Sequence, residues 1–286
     1  MARSNSLQLN TRLLKKALIF SAFFCVYIFQ SSLALASRAC PPQHIDETAR
    51  VNYVYDGDTL QLEDGRKIRL LGIDTPEIFS KREIIPKDIE YHGKAAKLAL
   101  HGLLRQSKQK IGLAFGVQRF DRYQRTLAHL FLPDGTNLQA ALIAQGHAIA
   151  FTTPPNDGMS DCYQQLEAQA IKYKLGIWQL PQYQLKRTSE LTHRSNGFHR
   201  LQAQVTRVWQ NQHGVTFLLD NKVEVKIRRH DLANFNAYML NNLSHKNIEI
   251  RGWLRTKKSS QTSQNKIQLS MSLRHPDAIK MLHLVK

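Results

Sequence analysis

The sequence predicts a mainly β, α+β chain built as two small closed barrels, the first with helices appended. Three observations lead there. Short β-type runs between 51 and 73 are broken by Asp-Gly steps, helical periods follow them, and five further strand-like runs with one helix among them occupy 201–273. At 286 residues, 42% hydrophobic and 22% charged, the chain has material for two domains and is not a disordered or fibrous sequence. Three cysteines without a CxxC pair exclude a disulfide-dense miniprotein and give no sign of structural zinc.

The first segment is an address. Residues 1–36 carry Arg3, Arg12, Lys15 and Lys16 and no acid, then an apolar run over 17–29, then Ala34-Leu35-Ala36. That order predicts a signal peptide cleaved before Ser37. The apolar run of 13 residues is shorter than the ~20 a spanning helix needs, so a permanent anchor is the weaker reading. Ser37-Arg38-Ala39 lacks the apolar residue that precedes a lipidated cysteine. The expectation is a periplasmic or secreted protein with no membrane anchor after cleavage. In an oxidising compartment Cys40 and Cys162 either pair or stand as two thiols, since sequence does not show proximity.

The mature chain divides by charge. Over 37–185 there are 18 basic and 16 acidic residues, whereas 186–286 holds 18 basic and 6 acidic. A polar stretch, 184–196, reads as a linker, which sets a first domain at 37–185 and a second at 190–286.

In the first domain, 51–55, 59–62 and 67–73 read as an antiparallel meander, because Asp56-Gly57 and Asp64-Gly65 are tight-turn signals. A helix over 91–105 places Ala95, Leu98, Ala99, Gly102 and Leu103 on one side. Strands follow at 110–117 and 126–132, then helices at 137–145, stopped by Gly146, and at 161–174. Short strands in a row with helices appended suggest a barrel of the oligonucleotide-binding (OB) type. In the second domain, strands at 201–209, 214–219, 223–228, 247–254 and 266–273, with a helix over 231–240, suggest another OB-like barrel.

Several residues point to chemistry. Asp58, in Asp56-Gly57-Asp58-Thr59, and Asp74, in Asp74-Thr75-Pro76-Glu77, can meet at one edge of the meander and share a hard cation, with the Thr75 carbonyl or water completing the oxygen set. Each motif alone reads equally as a turn. Arg69 stands in the apolar run Ile68-Arg69-Leu70-Leu71, either on a solvated strand face or as a guanidinium fork aimed at a phosphate. Arg125 offers a second fork. His129 and His147 have no metal-ligand spacing and read as core or surface residues.

The segments Tyr55-Asp56-Gly57-Asp58-Thr59, Ile68-Arg69-Leu70-Leu71-Gly72-Ile73-Asp74-Thr75-Pro76-Glu77 and Asp121-Arg122-Tyr123-Gln124-Arg125 resemble the signature segments of the staphylococcal nuclease-like, or thermonuclease, family. The likeness runs from about 50 to 178. It implies a five-stranded OB-type barrel with three helices. It also implies Ca²⁺ held by the side chains of Asp58 and Asp74 and the carbonyl of Thr75, with Asp56 nearby. Glu77 would activate or position the attacking water, and Arg69 and Arg125 would hold the scissile phosphate. Arg122 and Tyr123 are further candidate nucleic-acid contacts. The sequence departs from the family where Phe151 and Thr153 replace two tyrosines that help seat the nucleotide, where Gln124 replaces a glycine, and over the 78–89 loop.

A formal charge of +18 favours polyanionic partners. In the second domain Arg228, Arg229, Arg251, Arg255, Lys257, Lys258 and Arg274 are candidates for a positive track, with Trp209 and Trp253 as stacking platforms. Core tryptophans and solvated charges are the plainer alternative. The leading reading is an exported Ca²⁺-dependent nuclease, without sequence specificity, that cuts DNA and/or RNA to 3′-phosphate products. The alternatives are a catalytically inactive nucleic-acid-binding protein and an envelope protein that binds acidic lipid or glycan. The oligomeric state is open, a monomer being the working expectation.

Overall fold

The computed structural model describes residues 39–79, 84–256 and 269–282; the signal segment, part of the 78–89 loop, the start of the 266–273 run, and Lys257 and Lys258 lie outside them. In chain order the first unit holds β1 (Glu47–Val54), β2 (Thr59–Leu62), β3 (Lys67–Leu70), β4 (Ile73–Asp74), α1 (Lys87–Gln106), β5 (Lys110–Phe120), β6 (Thr126–Phe131), α2 (Leu138–Ala144), β7 (Ile149–Ala150) and α3 (Ser160–Lys172). β1, β2 and β3 form the antiparallel meander. Pairing of β3 with β6 in parallel, and of β5 with both β6 and β1, closes a five-stranded barrel.

Two expectations change here. The run 67–73 is not one strand: Gly72, at φ +76°, breaks it, and Ile73–Asp74 leaves the barrel to pair with β7. Helix α1 begins at Lys87, directly after Pro86, with Asp88 and Glu90 favourably placed in its first turn. Its buried face is Gly93, Ala96, Leu100 and Leu104, whereas Leu98 is exposed. The small residues at 93 and 96 let this face press on the loop after β4: a Cβ at Gly93 would lie 2.6 Å from the Pro76 carbonyl oxygen, and one at Gly57 would lie 2.6 Å from Ala96 Cβ. Helix α2 is capped by Asn137, whose side chain accepts from the Ala140 amide. Cys40 and Cys162 are joined by a disulfide that ties the chain start to α3.

The second unit holds β8 (Leu185–Arg187), β9 (Gly197–Asn211), β10 (Gly214–Leu219), β11 (Val223–Arg228), α4 (Ala237–Asn241), β12 (Asn247–Thr256), β13 (Leu269–Leu273) and β14 (Ile279–Met281). Its strands run β14-β12-β13-β11-β10-β9-β8, and pairing of β12 with β9 closes a second five-stranded barrel. The polar stretch read as a linker is not a tether: β8 lies parallel to β9, and Thr188 and Leu191 are buried. The helix expected over 231–240 is split. A 3-10 segment ends at Asn234, Phe235 is extended, and Asn236 caps the short α4.

Each barrel has its own apolar core. Between them a third cluster joins Trp178, Tyr183, Phe198, Trp253 and Phe151 through ring contacts of 4.6–5.8 Å between centroids. Arg251 on β12 reaches across to Glu167 on α3 and to the Ala150 carbonyl on β7, while Thr152 donates to Asp277 at 2.8 Å. Glu167 is only 3% exposed, so its charge is compensated by Arg251 and by the Ala150 amide, which donates to it at 2.8 Å. Among the described residues no helix is long and apolar enough to cross a membrane.

Candidate active site

The Asp-Gly turn between β1 and β2 turns back on itself because Asp56 accepts from the Asp58 amide at 3.0 Å. This directs Asp58 inward, where one carboxylate oxygen accepts from both the amide and the hydroxyl of Thr75, at 3.0 and 3.1 Å. The other accepts from the Thr59 hydroxyl at 3.0 Å. The break at Gly72 brings Asp74 to the same place.

Between the two aspartates lies the guanidinium of Arg69. Its Nη1 is 3.0 Å from Asp58 and its Nη2 is 2.8 Å from Asp74. The side chain is largely buried and shared by two carboxylates, so of the two sequence readings of Arg69 the solvated strand face does not hold. Among the described residues no three His, Cys, Asp or Glu side chains converge on a point.

The electrostatics show excess negative charge. Asp56, Asp58, Asp74 and Glu77 gather around Arg69. Burial, then the Asp58 charge, pushes Asp56 up to about 6. Burial also pushes Asp74 up to about 7; Arg69 pulls it down, and the charges of Asp58, Glu77 and Asp56 push it further up. Glu77, exposed on the surface, is raised by the protein packed behind it and by Asp58, with Arg69 and Arg125 opposing. Asp58 and Asp74, the two carboxylates that meet at Arg69, are oxygen donors of the kind a hard divalent cation takes.

Arg125 is held by Asp121, whose carboxylate accepts from its Nε at 2.7 Å and from its amide at 2.9 Å. Its Nη1 lies 3.5 Å from the Thr59 hydroxyl, beside Asp58. Two of five guanidinium donors are thereby used, leaving three. The turn needs a left-handed residue, and Gln124 occupies it at φ +61°, which is why glycine suits that position. The anchoring role of Asp121 was missed from sequence, though an acid four residues ahead of an arginine was the available signal. Tyr123 and Arg122 are exposed neighbours, with Arg122 stacked over the Tyr123 ring.

Other candidates do not join this site. His129 is a core residue that bonds Tyr163 at 2.8 Å and is lowered to about 4 by burial. Arg251 is not available to a polyanion because Glu167 and Ala150 engage it. Arg274 is paired with Asp231. Trp209 lies under Arg207, whereas Trp253 is half-buried in the aromatic cluster and lines the cleft between the barrels. Arg229 is exposed beyond β11.

The closed OB-type barrel presents a group of carboxylates, of which Asp58 is buried, beside two anchored guanidinium groups, a set suited to phosphodiester chemistry. The family described as staphylococcal nuclease homologue matches residues 67–180. Thermonuclease of Staphylococcus intermedius is 33% identical over 136 residues, 46% of this chain and 77% of the relative. Thermonuclease of Staphylococcus hyicus is 33% identical over 137 residues, 46% and 76% of the two chains. Endonuclease YhcR of Bacillus subtilis is 30% identical over 154 residues, which is 50% of this chain but 12% of the relative. The chain belongs to the staphylococcal nuclease family.

Proposed function

We propose that this protein is an exported, Ca²⁺-dependent nuclease that hydrolyses DNA and/or RNA without sequence specificity, leaving 3′-phosphates. The observation that carries the reading is the Asp58–Arg69–Asp74 arrangement beside Glu77 and Arg125. Asp58, Asp74 and the Thr75 carbonyl would hold the ion, in keeping with the surplus of carboxylates there. Bound Ca²⁺ supplies a positive charge that neutralises the phosphodiester.

The chain's own residues account for the rest. Attack adds charge to a group already charged, so Arg125, which keeps three free donors, stabilises the transition state more than the ground state, and Arg69 would join it only where Asp58 and Asp74 release its guanidinium. Asp121 keeps Arg125 in place before substrate arrives. Glu77, deprotonated, accepts the proton of the attacking water, and its upward shift moves the rise in rate to higher pH. Export is supported by the signal-like segment and by the Cys40–Cys162 disulfide, a bond that persists in oxidising compartments. The domains run 37–185 for catalysis and 190–286 for the basic barrel, with β8 joined to the second sheet ahead of that boundary, and the basic barrel carries a nucleic-acid-binding role.

The test incubates purified mature chain with plasmid and with RNA, with Ca²⁺ or a chelator, and analyses the product ends. Cleavage with Ca²⁺ to 3′-phosphates is expected, and Arg125→Ala should lower kcat on the order of 10²–10³-fold. Binding without any cleavage would overturn the reading in favour of an inactive nucleic-acid-binding protein.

A further inference from the structure

The two barrels face each other across a cleft of about 790 Å³. Asp74, Glu77 and Arg122 line it from the first barrel, and Arg228, Arg255 and Arg274 from the second. Phe151, Phe198 and Trp253 also line it. On the second-barrel wall, Arg255 and Ser270 are cross-strand partners on β12 and β13, so a cation and a hydroxyl stand side by side. Arg228 and Arg255 are exposed, and among the described residues no carboxylate pairs with them. The carboxylates on this wall are already engaged: Asp231 is buried against Arg274 and His230, and Asp277 is held by Thr152 and His275. The free charge of the wall is therefore positive, and the part-exposed rings of Phe151 and Trp253 lie beside it.

Guanidinium walls that follow a backbone, with rings on which bases stack, are what a single nucleic-acid strand requires. The walls are joined by Arg251–Glu167 and Thr152–Asp277, so the separation is built in. We infer that the cleft is the path of one polynucleotide strand, which crosses β11–β13 of the second barrel on its way to Asp74 and Glu77. The inference rests on the nuclease reading and adds a substrate form and a second-barrel subsite to it.

The test measures binding of the full mature chain to a fluorescein-labelled single strand of about 16 nucleotides, the upper site size for one such barrel, in chelator and over a range of salt. For the double variant Arg228→Gln/Arg255→Gln, affinity should fall roughly tenfold and the log–log salt slope should flatten by about 1.4, the single-strand value for two lost phosphate contacts. Lys280→Gln, a charge removed outside the cleft, should change neither. Unaltered affinity and slope in the double variant would overturn the inference, as would a blunt duplex that competes as well as the single strand. Because binding is read without turnover, a chain that binds this way but cuts nothing sinks the nuclease reading alone. A chain that cuts while the double variant binds normally sinks the cleft path alone.

Discussion

Replacing Arg251 tests how the two barrels depend on one another. Arg251→Ala would leave the Glu167 carboxylate, 3% exposed, with only the Ala150 amide for compensation, and would strip the Ala150 carbonyl of its cross-barrel donor. Removing one partner of a buried ion pair costs about 3–5 kcal/mol, a large part of the ~5–15 kcal/mol that holds a domain folded. The double variant Arg251→Met/Glu167→Met leaves no orphan charge and should recover much of that loss, and with the single variants Arg251→Met and Glu167→Met it completes a cycle that reports a coupling of several kcal/mol. The assay is denaturant unfolding followed by tryptophan fluorescence, with Trp253 and Trp178 in the interface cluster as reporters. Hydrogen exchange at the Ala150 amide reads the same event locally, because that amide donates to the Glu167 carboxylate. A single-variant loss under about 1 kcal/mol, or equal losses in single and double variants, would refute the reasoning.

Three further outcomes are expected. Reducing the Cys40–Cys162 bond, whose cysteines lie 122 residues apart, should lower stability by about 4–5 kcal/mol in the chain-entropy model, and an unchanged urea midpoint with and without reductant would contradict it. Gln124→Gly should raise stability by about 0.5–1 kcal/mol, the left-handed strain relieved less the extra freedom of glycine in the unfolded chain; a lowered midpoint would show that the Gln124 side chain contributes something else. Asp74 at about 7 must lose its proton to accept a cation, so calorimetric Ca²⁺ affinity should rise roughly tenfold from pH 6 to 8, while the metal-free chain loses stability as pH climbs through that window; a flat affinity profile would contradict this.

How much was legible in the sequence follows from which forces are local. The Asp-Gly turns, the stop at Gly146 and the alternation of β11 are decided within a few residues, and all are found where the sequence placed them. The start of α1 was missed because Pro86 lends no side-chain cap, and its buried face was misjudged because packing against the 75–77 loop favours small residues over Leu98. The acidic and basic residues of the site were named from their motifs. That Arg69 lies between two carboxylates, that Arg251 serves Glu167 rather than a polyanion, and that a presumed linker is a strand of the second sheet were decided only in three dimensions. Composition tells which charges a chain carries, but the partner of a charge is set by desolvation: a carboxylate sealed in an interface takes the nearest donor, and the chain distance between them, 84 residues for Glu167 and Arg251, leaves no trace in the sequence.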